Sequence, residues 1–244
     1  MTATWRAISF VANVTRLSFI HRWLLGVFLL TAPGAFAADA DWQFALAQMP
    51  LGAGVTTLAE TNCVATMLRA FQSNATVKAL IFMPGATDEF YMFHRAHATL
   101  TNTAPSLLDA VTALTNQTLI RATFLPPFVL LHSDEDPLTP LFKITDEATA
   151  EKLRQRKFLP HALYNDRDWD FMMPVLEKQL KMDFRPWPHR RESWHFFRHS
   201  FAAWNLTGWE ALQAVSLAGK ETFTVERKRV VFTGDVRTRT LPKF

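Results

Sequence analysis

Residues 98–131, ATLTNTAPSLLDAVTALTNQTLIRATFLPPFVLL, decide how this chain is read, because their plan returns about a hundred residues later. The second occurrence is residues 200–232, SFAAWNLTGWEALQAVSLAGKETFTVERKRVVF. Each reads as a strand, a Pro or Gly break, a short amphipathic helix, a strand, a tight connection and a final apolar strand. A shift of 101 residues lays Asp109-Ala110-Val111 on Glu210-Ala211-Leu212. It also takes Leu108 to Trp209, Leu114 to Val215 and Val129-Leu130 to Val230-Val231 without a gap. An internal repeat sets the fold before any other feature does. The expected class is therefore α+β, with two tandem small βαββαββ modules after a cleaved signal peptide.

Working outward, the first module is expected over residues 38–133 and the second over 158–234. A linker with a short helix (134–157) joins them, and a tail (235–244) follows. At 244 residues, two domains of about 100 residues each is an ordinary division. In the first module the spacing predicts an edge strand over 54–60 and a helix with Val64, Met67, Leu68 and Phe71 on one face. Strands follow over 77–83 and 91–101, then a helix with Leu107, Leu108, Val111 and Leu114 inward, and closing strands at 121–125 and 128–132. The second module repeats the order: a strand at 158–164, a helix with Met172, Val175, Leu176 and Leu180 inward, and a weak strand at 183–187. A long strand at 194–204, a helix at 209–217 and a closing hairpin at 223–227 and 229–233 complete it. Pro174 is expected in the opening turn of its helix, and Pro186 and Pro188 confine the strand at 183–187 to an edge. Residues 145–156 read as a surface helix, with acids first and bases last along its dipole.

Residues 1–37 read as a secretory leader. A basic flank (Arg16, His21, Arg22) precedes the apolar run WLLGVFLL at 23–30, and Ala35-Phe36-Ala37 fits cleavage before Ala38. The run is too short for the ~20 residues of a membrane span. The expectation is an exported, periplasmic protein with no transmembrane segment in the mature chain. Without the leader, 23 Lys/Arg face 22 Asp/Glu, too even a balance for a nucleic-acid partner. The charge is unevenly distributed. Residues 38–140 hold 4 basic and 9 acidic groups and residues 157–244 hold 15 and 10, which favours attraction between the halves or head-to-tail self-association.

No catalytic, cofactor-binding or metal site is expected. The chain lacks a G-x-S-x-G elbow, a Walker loop and a G-x-G-x-x-G turn. His195 and His199 are four apart, but on a strand that places them about 13 Å apart, too far for one metal ion. His94 and His97 fall on opposite faces of theirs. Asp134-Glu135-Asp136 lacks the spacing of a calcium loop, and Cys63, the single cysteine, begins an apolar helix as a packing residue. Arg190-Arg191 and Arg227-Lys228-Arg229, near Trp187 and Trp194, form a basic and aromatic patch suited to an acidic protein face or an anionic glycan.

The module order and its wording resemble the secretin and TonB short N-terminal domain. The pieces that carry the resemblance are NTAPSLLDAV at 102–111 with residues 128–131, and NLTGWEAL at 205–212 with residues 229–232. It covers about 55–132 and 158–233, and the barrel that follows such domains in secretins and receptors is missing. The resemblance implies a non-enzymatic adaptor that docks envelope proteins, an outer-membrane secretin or a TonB-system component, by strand addition at open edges. The residues it points to are Val55, Phe128, Val129 and Leu130, with Trp187, Arg190, Arg191, Arg227, Lys228 and Arg229 on the basic side. The rival readings are a peptidoglycan- or glycan-binding envelope protein and, further off, a small exported hydrolase.

Overall fold

Two helix starts show how local sequence dictates the elements. In a computed structural model of the chain, helix α2 (Leu107–Gln117) begins after Ser106 and helix α5 (Gly208–Gly219) begins after Thr207, 101 residues apart. The Ser106 hydroxyl accepts from the Asp109 N–H at 3.2 Å, and the Asp109 carboxylate accepts from the Ser106 N–H at 2.7 Å. Thr207 and Glu210 repeat the exchange at 3.1 and 2.7 Å. Each box satisfies donors that a helix start otherwise leaves unpaired.

Losing either cap, as Ser106→Ala or Thr207→Ala, is expected to cost about 1 kcal/mol in chemical denaturation. The bonds to Ser106, backbone first and then hydroxyl, hold the Asp109 carboxyl below its usual value. A depressed folded pKa gives stability that is present above the unfolded value of about 3.9 and lost as pH falls through the folded one. Asp109→Asn should therefore flatten that part of the acid limb of the stability profile.

The structure describes residues 41–59, 62–83, 96–132, 141–155, 161–167, 169–186 and 199–234. The expected leader, the acidic run at 134–136, His94, Trp187, Arg190, Arg191, Trp194, His195 and the tail lie outside them. The chain from Trp42 onward clusters as one unit, of mixed α and β content. Its strands are β1 (Thr57–Leu58), β2 (Ala79–Phe82), β3 (Ala98–Thr99), β4 (Arg121–Leu125), β5 (Phe128–His132), β6 (Leu141–Ile144), β7 (His161–Arg167), β8 (Asp183–Pro186), β9 (His199–Trp204), β10 (Glu221–Glu226) and β11 (Arg229–Gly234). The remaining helices are α1 (Cys63–Ala70), α3 (Glu147–Gln155) and α4 (Trp169–Leu180); residues 42–47 are also helical.

Three pairings in the first half are matched in the second. β1 pairs antiparallel with β3, β2 parallel with β5, and β4 antiparallel with β5. Likewise β7 pairs antiparallel with β9, β8 parallel with β11, and β10 antiparallel with β11. The halves then share a sheet, because β9 also pairs antiparallel with β2 and gives the order β4-β5-β2-β9-β7. The second sheet runs β6-β10-β11-β8.

The shared sheet is covered on both faces, so its inner strands read as continuous apolar runs, as a two-sided burial requires. Ala79, Ile81, Phe128, Leu130, Phe201 and Ala203 face a core with α4, α5, β10 and β11. Leu80, Phe82, Val129, Leu131 and Ala202 face the other, with α1, α2, Trp42 and Leu46. Lys78, just before β2, adds an ion pair across the halves to Glu210 at 2.7 Å.

Several expectations are corrected. The linker is not a surface connection: β6 joins β10 in parallel, and α3 buries Ala150 and Leu153 in the core. Two small contacts sufficed where a broad apolar stripe was sought. Leu153 reaches within 3.1 Å of where a Gly208 Cβ would stand, and the Arg154 guanidinium lies 5.1 Å from the Trp209 ring centre. Pro174 sits inside α4 and not in its first turn, so the bond its N–H would make to the carbonyl of residue 170 is lost. The first strand shrinks to Thr57–Leu58, since Gly52 and Gly54 take left-handed turns just before it.

Candidate interaction edges and polar sites

Of the three strands expected to offer contact edges, the two closing strands do not have them, whereas β1 pairs, among the described residues, only with β3. Phe128, Val129 and Leu130 are buried on β5, which has β4 on one side and β2 on the other. β11 lies between β10 and β8. Sequence reasoning missed this because a closing strand looks terminal along the chain, whereas a parallel partner from earlier in each half covers it. Val55 is half-buried ahead of β1 and packs on the first core.

The edges among the described residues are both strands of the β1–β3 pair, β4 and β7 of the shared sheet, and β6 and β8 of the second. Backbone direction decides which of them can accept another strand. On β8 the Asp183 N–H donates inward to the Lys228 carbonyl at 3.0 Å, so Phe184 and Pro186 face outward. The Phe184 N–H is taken by the Glu177 carboxylate at 3.3 Å, and Pro186 has no N–H to offer. That edge is closed. On β7, Ala162 and Tyr164 bond inward to Ala203 and Phe201, which leaves Leu163 facing outward with its side chain 43% exposed. On β4, the Met83 N–H bonds to the Leu131 carbonyl, which turns Leu131 and Val129 toward β2. Phe128, Leu130 and His132 then face β4, and Ala122 and Phe124 of β4 face outward.

Arg227, Lys228 and Arg229 form the exposed tip of the β10–β11 hairpin, where Arg229 pairs with Glu226 at 2.8 Å. The Asp183–Lys228 bond draws the turn after α4 beside this tip. Exposed Lys181, two residues before Asp183, thereby joins Arg227 and Lys228 in one basic pole built from two distant stretches. Lys181 and Lys228 hold φ of 51° and 58°, a region that glycine or asparagine adopts with less strain. Such a pole suits an acidic partner surface. Of the nine acids of the first half, Asp41 and Asp109 are among the described residues.

A buried polar group gathers where β9, α5 and β10 meet: His199, Ser216, Lys220 and Glu221. The Ser216 hydroxyl donates to the Glu221 carbonyl, so it is neither exposed nor aimed at a base. Gly219 lies between these groups, and a Cβ there would stand 2.4 Å from His199 Nε2 and 3.2 Å from Glu221 Oε2. The sequence signal for this cluster was a polar pair, Lys220-Glu221, directly after the helix-ending glycine.

Cys63 is buried at the start of α1, and burial pushes its thiol up to about 12. A thiol held neutral is a poor nucleophile. A disulfide reagent at pH 8 should leave the folded protein unmodified and label it rapidly only in denaturant. Rapid labelling of the native chain would refute the buried packing role.

No group of three or more His, Cys, Asp or Glu that could hold a metal ion occurs among the described residues. None of the described helices is long and apolar enough to cross a membrane. No family model, curated protein or solved structure matches the chain.

Proposed function

We propose that the chain is a non-enzymatic adaptor of the bacterial envelope, made of two tandem βαββαββ modules of the secretin and TonB short N-terminal type. In this reading residues 1–37 are an export leader, the mature protein is periplasmic, and its partner is an outer-membrane secretin or a TonB-type transport component. The observation that carries the reading is the recurrence of three strand pairings, one parallel and two antiparallel, in both halves. Equal pairing with little sequence identity fits a scaffold kept for its surfaces. The edges β4 and β7 and the basic pole supply those surfaces.

The test is to cross-link cells of the native host, purify this protein from the envelope and identify what accompanies it. Recovery of a secretin or a TonB-system protein, with a mature N-terminus at Ala38, supports the proposal. A chain that keeps residues 1–37 and brings down no envelope protein overturns it. A second reading, a binder of peptidoglycan or another anionic glycan, draws on the basic pole. It predicts wall retention that is lost when Lys181, Arg227 and Lys228 are all replaced by Ala.

A further inference from the structure

The chain contains its own example of what its open edge accepts. The outward residues of β10 are Phe223 and Val225, and β6 lies against them in parallel: the Thr145 N–H donates to the Val225 carbonyl at 2.9 Å. The 101-residue shift carries Phe223 and Val225 onto Ala122 and Phe124, the outward residues of β4. Among the described residues no strand lies against β4. Among the described residues, one edge of the repeat is thus occupied and its counterpart is not.

From this we infer that β4 is a docking edge for an extended, mainly apolar segment of a partner protein, which runs parallel to β4 as β6 runs along β10. Two further features define the occupant. Phe142 of β6 packs on Phe223 at 5.7 Å and on Trp209 at 4.9 Å, whereas the first half has Ala122 and Leu108 at those positions. Smaller side chains there favour an aromatic residue on the incoming strand. Leu119, 85% exposed just before β4, stands where the second half has buried Lys220, and it offers that strand an apolar landing. The main-chain bonds at Ala122 and Phe124 supply affinity, and these flanking side chains supply selection.

This inference rests on the adaptor reading for its biological setting, but its test uses the purified chain alone. A negative envelope purification would leave it standing. The probe is the synthetic peptide of residues 138–146, LTPLFKITD, which contains the β6 strand. It is added up to about 1 mM, near the effective concentration that a short tether gives a linked segment. Hydrogen exchange at Ala122 and Phe124 should slow roughly tenfold or more. Ala122→Pro should abolish the slowing, because it removes an outward N–H that the β4–β5 ladder does not use. A peptide N-methylated at Lys143, whose N–H points into the ladder, should fail on the unaltered protein and gives an answer even where the proline variant does not fold. The inference is overturned if exchange is unchanged, or if the blocked peptide protects equally. It is also overturned if protection appears with protein concentration alone, since the occupant would then be a second copy's β4.

Discussion

Replacing Gly219 by Ala should lower the stability of this chain by roughly 3 kcal/mol, toward the upper part of the overpacking range. The added methyl would stand 2.4 Å from His199 Nε2 and 3.2 Å from Glu221 Oε2. Neither neighbour has room to give. His199 is fully buried on β9, whose own neighbours are β2 and β7, and Glu221 is buried at the start of β10. Alanine recovers less than about 1 kcal/mol through helix propensity, so the clash decides the sign. Gly208→Ala is the useful comparison, because its nearest neighbour, the tip of the Leu180 side chain, stands 2.9 Å away rather than 2.4 Å. Urea denaturation of both variants gives the contrast: a large loss for Gly219 and a smaller one for Gly208. An unchanged midpoint for Gly219→Ala would show that the His199 ring moves aside and that the polar group is looser than described.

Phe201→Ala should cost about 4 kcal/mol, in the range for truncating a buried aromatic side chain. Phe201 lies 4.9 Å from the Tyr164 ring, and its β9 register places it opposite both Ile81 and Tyr164. The pattern of the loss matters as much as its size. Because β9 belongs to the sheet that faces both cores, the variant should unfold in a single transition. Tryptophan fluorescence, which samples both halves, and far-ultraviolet circular dichroism should report the same shifted midpoint. Two separated transitions would mean that the halves hold their structure independently and that the shared sheet adds little.

The chain could be read far enough to locate α2, β4 and β5 and their counterparts α5, β10 and β11. Those elements are local: capping pairs and apolar periodicity within a few turns determine them. Ser106-x-x-Asp109 and Thr207-x-x-Glu210 would have sharpened the repeat further, since a capping box is visible as spacing alone. Strand neighbours were not legible in the same way. Nothing in FVLLH at 128–132 says whether its flanks meet solvent or β2, because that pairing spans about fifty residues. The interior place of Phe128, Val129 and Leu130, and so the failure of the expected edge, follows from topology. The helix α3 was misjudged for another reason. Periodicity weighs how many apolar residues a helix has, whereas Ala150 and Leu153 anchor it by fit against Gly208 and its neighbours. The closed edge at β8 combines both kinds of information: Pro186 was a visible signal, and the Glu177 contact was not.

The shared sheet also sets an order in time. Ile81 of β2 pairs with Phe201 of β9, 120 residues later in the chain. At a synthesis rate of about 5–20 residues per second, β2 emerges roughly ten seconds before its second neighbour exists. During that interval Ala79–Phe82, four apolar residues in a row, presents a bare edge that only a late-arriving strand can cover. Folding of the first half is therefore expected to await completion of the second, with closure of this long loop slower than formation of any helix. Such a chain depends on whatever shields nascent strands, and its yield in any host should follow that protection more closely than its final stability.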